Sequence, residues 1–111
     1  MTQATGFRKG PFSFRYHIAE LTPLINVKEL IPSMTDNEVR YNMGKYAIME
    51  HLQETSENSP QADFEDGFIN SLITTFTAPA LTWDSPIEEV MYWTGVTKAL
   101  RIVVDYYTKR S

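Results

Sequence analysis

Apolar and polar residues along the chain change their period near residue 20. Between Phe12 and Ile18, Phe12, Phe14, Tyr16 and Ile18 alternate with Ser13, Arg15 and His17, the period of two that predicts a half-buried strand. No second run of comparable alternation follows. The backbone groups of such a strand would have to pair with irregular chain or with another molecule. Ahead of it, Met1 to Pro11 is rich in Thr, Gly and Gln, carries Arg8 and Lys9, and has no period at all; it reads as an extended arm.

From residue 21 onward the signals are helical. "PLINVKELIP", Pro23 to Pro32, spaces Leu24, Val27 and Leu30 or Ile31 at helical intervals behind a Thr22-Pro23 start, which predicts a short helix. Thr35-Asp36-Asn37-Glu38 is a capping box opening a long helix to about Glu54, in which threonine and glutamate each satisfy the other's backbone amide. Gly44 in its middle costs about 1 kcal/mol against alanine and marks a close helix contact. A third helix has Phe64, Phe68, Ile69, Leu72, Ile73 and Phe76 on one clean apolar face. Its start is set by Ser59-Pro60 or Asp63, and Pro79 stops it. Ser85-Pro86-Ile87-Glu88 opens the last helix, Pro86 to about Lys109. There Thr94, Lys98, Arg101, Asp105 and Thr108 fall on a single polar stripe, with Arg101 and Asp105 spaced to pair, while most other positions are apolar. A helix so covered is central to its own bundle or shares a face with another molecule.

The expected fold is mainly α: a small bundle of three long helices and one short one, preceded by an N-terminal extended arm or strand. Residues 1–20 form the arm with its β-like segment, and 21–111 a single helical domain. A chain of 111 residues with 42% hydrophobic and 22% charged residues can bury one core without staples and is not disordered throughout. Cysteine is absent, which removes disulfides, thiolate metal sites and cysteine nucleophiles together. No apolar run has the length of a signal peptide or a membrane span; the expectation is a soluble, unprocessed, cytoplasmic protein that does not engage a membrane.

Charge changes this picture most. Between Tyr46 and Thr97 stand nine acids and no lysine or arginine, while the flanks hold all ten basic side chains. A pI near 5.1 argues against nucleic acid as the partner. The acids Glu54, Glu57, Asp63, Glu65 and Asp66 form a candidate surface for a basic protein, although Asp63, Glu65 and Asp66 also suit a helix N-terminal turn.

Candidate chemistry is sparse. His51 and Glu54 share a helix face and His17 lies outward on the strand, and a lone histidine pair is more often structural than a metal site. "DFEDG" fails as a calcium loop because Ala62, Phe64 and Ile73 occupy ligand positions. Phosphate loops, nucleophile elbows and zinc-protease helices are absent from the sequence. No catalytic residue, cofactor or metal is therefore expected, and the motifs carry no family signature. The expected function is that of a small non-enzymatic protein-interaction subunit of the assembly, adaptor or connector type. It would act through the apolar terminal helix (Trp93, Tyr106 and Tyr107) and the arm (Phe12, Phe14 and Tyr16), on a copy of itself or on a different protein, so that a homo-oligomer is one outcome. The alternative is an acidic inhibitor or immunity-type protein that caps a basic site on its partner.

Overall fold

The computed structural model describes residues 14–58 and 66–110, and of residues 14, 15, 66 and 110 it describes the backbone alone. Phe12, Asp63, Glu65 and the Ser59-Pro60 start signal lie outside the described residues. Among the described residues there are four helices: α1 Phe14–Ile25, α2 Asp36–Asn58, α3 Asp66–Thr75 and α4 Ile87–Arg110. α2 and α4, of 23 and 24 residues, are the long members. The helical bundle expected from the sequence is present.

Two local expectations are corrected. From Phe14 onward the expected strand is α-helix, and among the described residues there is no strand. The alternation covers only seven residues, and it also places Phe14 and Ile18 one turn apart. Ile18, Leu21 and Ile25 continue that spacing into the core, so the longer helical period prevails. The short helix expected over Pro23–Pro32 does not form, because α1 ends at Ile25. Asn26 stops it in the left-handed region at φ 55, its amide donating to the Thr22 carbonyl at 3.0 Å, a cap that asparagine tolerates.

The directions of the helices follow from their contacts. At one end of α1, Ile18 shares a pocket with Gln53 and Ser56 and His17 touches Tyr106. At the other end, Asn42 Oδ1 accepts from the Lys28 amide at 3.0 Å and Lys45 Nζ donates to the Asn26 carbonyl at 3.2 Å. α1 is thus antiparallel to both long helices, and α2 and α4 run parallel. They cross at two glycines. A Cβ on Gly44 would sit 2.0 Å from the Tyr92 carbonyl oxygen, and one on Gly95 2.0 Å from that of Tyr41, so only glycine lets the two backbones meet. Asp36 and Ile87, the first residues of the two helices, each precede the crossing by eight positions; the helices start level.

The core is built around this crossing. Leu21 and Ile25 of α1, Ile48 and Leu52 of α2, Leu72 of α3 and Val96, Ala99 and Val103 of α4 are fully buried, each large aliphatic among them contributing about 1.5–3 kcal/mol. α4 is the central element, and the α2–α4 contact is the largest interface of the fold. The polar stripe expected on α4 is observed: Thr94, Lys98, Arg101, Asp105 and Thr108 are all exposed.

Candidate interaction surface

Most of the aromatic residues singled out on α4 serve the core. Tyr106 is 8% exposed, and Trp93 and Tyr107 are half-buried against the core. Tyr16 is exposed on α1, Phe14 opens that helix, Glu54 and Glu57 are exposed near the end of α2, and Asp66 opens α3. Glu54 and Glu57 stand at the C-terminal end of α2, the end that also holds Tyr106 and Tyr107 of α4 and the start of α1 with Tyr16, whereas Trp93 lies near the crossing, away from that end.

The most ordered polar cluster joins α1 to α4. His17 is 2% exposed, in helix rather than outward on a strand, and its Nδ1 lies 2.9 Å from the Tyr106 hydroxyl. That hydroxyl donates to Glu20 Oε1, so Nδ1 must carry a proton and donate to it. The other oxygen, Glu20 Oε2, accepts from the Tyr16 hydroxyl at 3.1 Å. Beside the cluster runs an open groove of about 970 Å³ lined by Pro23, Leu24, Ile102 and Lys109 among others. The arrangement satisfies a buried histidine and ties two helices together, as buried polar groups require. The contact between Glu20 and Tyr106 escaped sequence reasoning because the two lie 86 positions apart. The available signal was a tyrosine hydroxyl on an apolar helix face, which needs an acceptor when buried.

His51 is half-buried, its ring 6.4 Å from that of Phe68 and 5.3 Å edge-on to Phe76. It packs as an aromatic between α2 and the α3 segment. Among the described residues no group of three or more His, Asp or Glu is placed to hold a metal ion, and no helix is long and apolar enough to cross a membrane.

Lys45, 8% exposed, is a buried cation at the crossing. It bonds to the carbonyl that ends α1 and lies 5.0 Å over the Tyr41 ring. Burial, followed by the nearby charges of Lys28 and Lys98, holds its ammonium below the usual lysine range.

One surface feature stands apart. Trp83 has a relative exposure of 102%, in the connection between α3 and α4. The turn that carries it is closed by the Thr82 amide donating to Ser85 Oγ at 2.8 Å, the Ser85 amide donating to the Thr82 carbonyl at 3.1 Å and the Asp84 amide donating to Thr82 Oγ1 at 3.3 Å. The Ser85 hydroxyl therefore closes the turn instead of capping α4. Leu81 and Ile87 on either side are exposed, as are Asp84, Glu88 and Glu89. A large indole thus stands in water on a hydrogen-bonded turn, rimmed by acids.

These features define a mainly α protein, with four helices among the described residues and an exposed tryptophan outside its core. No protein-family model matches the chain, no curated protein matches it, and no solved structure matches it.

Proposed function

We propose that the chain is a protein-interaction subunit whose contact surface centres on Trp83. The observation that carries this reading is the full exposure of that indole on an ordered turn. Exposed apolar residues scattered singly mean little, but tryptophan is the side chain most enriched at binding hot spots, and a pre-ordered turn lowers the entropic cost of docking it. Leu81 and Ile87 extend the apolar area. Asp84, Glu88 and Glu89, in a stretch without lysine or arginine from residue 46 to 97, favour a basic partner.

The apolar residues of α4 support its role in the bundle itself, so a partner surface formed by Trp93, Tyr106 or Tyr107 would draw only on their exposed edges. Adaptor, connector and assembly roles all fit a surface of this kind, with a second copy or a different protein as the partner. Exposed Glu54 and Glu57 favour the second reading, an acidic inhibitor that caps a basic site from the far end of α2.

Sedimentation velocity and affinity capture from the native source, run on the wild type and on Trp83→Ser, test the first reading. Self-association or a captured partner is expected for the wild type and is expected to be lost in the variant. Equal behaviour of the two proteins removes Trp83 from the interaction. If reversal of Glu54 and Glu57 abolishes a salt-sensitive interaction that Trp83→Ser leaves intact, the acidic-inhibitor reading takes its place.

A further inference from the structure

Trp93 bears on a second surface, distinct from the Trp83 turn. This half-buried residue lines a groove of about 310 Å³ between α4 and the chain that follows α3. Leu81 lines the same groove, as do Thr97, Lys98 and Arg101 of α4. This volume lies at the small end of the range of about 300–1,000 Å³ typical of small-molecule sites.

The two cations are three positions apart and share one helix face. Among the described residues no carboxylate lines the groove and neither Lys98 nor Arg101 has a hydrogen-bond or ion-pair partner, so the pairing that the spacing of Arg101 and Asp105 allows is not made. Lys98 also lies close enough to the buried Lys45 to disfavour its ammonium. Like charges three positions apart on one helix face repel each other. An anion between them relieves that repulsion, and an apolar surface beside the anion position selects what the anion is attached to.

We propose that this groove binds a small amphipathic anion, with an aromatic or branched apolar body against Trp93 and Leu81 and a carboxylate or phosphate between Lys98 and Arg101. Arginine offers two parallel donors to either head group, lysine a point charge, and the Thr97 hydroxyl an additional donor at the same end. The outer face of Trp93 supplies the stacking surface.

The test titrates the full chain with 2-naphthoate, 2-naphthyl phosphate and 1-naphthylmethylamine, following backbone amide shifts by NMR. The two anions are expected to shift the amides of Leu81, Thr94, Thr97, Lys98 and Arg101, with the tighter of the two identifying the preferred head group. The ammonium probe is expected to leave them unmoved. Lys98→Gln combined with Arg101→Gln changes only exposed side chains, and it is expected to weaken anion binding roughly tenfold; about 0.5 M salt acts in the same direction. The proposal is overturned if no shifts arise at millimolar anion, if the ammonium binds as well as the anions, or if the double variant binds like the wild type.

Discussion

The Tyr106 hydroxyl occupies a position where one oxygen atom serves two helices. It accepts from His17 and donates to Glu20, so Tyr106→Phe removes a donor and an acceptor at once while filling the same volume. The His17 Nδ1 then loses this partner inside the core, and the variant is expected to be less stable by about 1–3 kcal/mol, read from urea unfolding. Adding His17→Ala to Tyr106→Phe should cost less than making His17→Ala in the wild type, because the two residues act as a pair. Lys45 makes a prediction of opposite chemical sign. Its folded-state pKa lies below that of the unfolded chain, so between those two values the unfolded state binds more protons. Stability contributed by this residue therefore rises as pH climbs through the lowered value and levels off near the unfolded lysine pKa of about 10.4. Lys45→Met is expected to flatten this alkaline gain, and stability measured from neutral pH to about 10.5 checks it.

At the scale of the helix, the α2–α4 crossing sets the tolerance of the fold. Gly44→Ala would drive a methyl group toward the Tyr92 carbonyl oxygen at 2.0 Å and the Val96 amide at 2.8 Å, both backbone atoms that cannot rotate aside. The helices must separate, and a loss of about 1–3 kcal/mol or more is expected despite alanine's higher helix propensity; thermal unfolding of the variant reads it. Gly95→Ala meets the Tyr41 carbonyl in the same way. Gly44 was legible in the sequence as a close contact because it interrupts an otherwise good helix, and the capping box was legible because its spacing is its geometry. In the structure Thr35 N donates to Glu38 Oε1 at 3.0 Å, and Glu38 N donates to Thr35 Oγ1 at 3.1 Å; the bonds from Thr35 hold the Glu38 carboxyl below its usual value. Other features were illegible for physical reasons. Seven residues of alternation cannot separate a strand from the first turns of α1, and nothing local to α2 or α4 encodes that they run parallel. Trp83 carried no signal either, since exposure in a turn leaves no period.

Across the whole molecule, core and surface divide the aromatic residues between them. Tyr106 and Trp93 are drawn into the bundle to different depths, whereas Trp83 contributes nothing to it. Trp83→Ser should accordingly leave folding stability within about 0.5 kcal/mol of the wild type, while any partner contact made through the turn is lost. Thermal and urea unfolding of the variant check the first half, and the sedimentation comparison checks the second. The parallel alignment of α2 and α4 reaches beyond the folded state. Gly44 and Gly95 meet although about fifty residues of chain separate them, so their contact closes a long loop before any of the energy at the crossing is gained. No hairpin of adjacent helices can form this interface early. The chain is expected to fold more slowly than a bundle of equal size whose largest interface joins helices adjacent in sequence, with the crossing consolidated late.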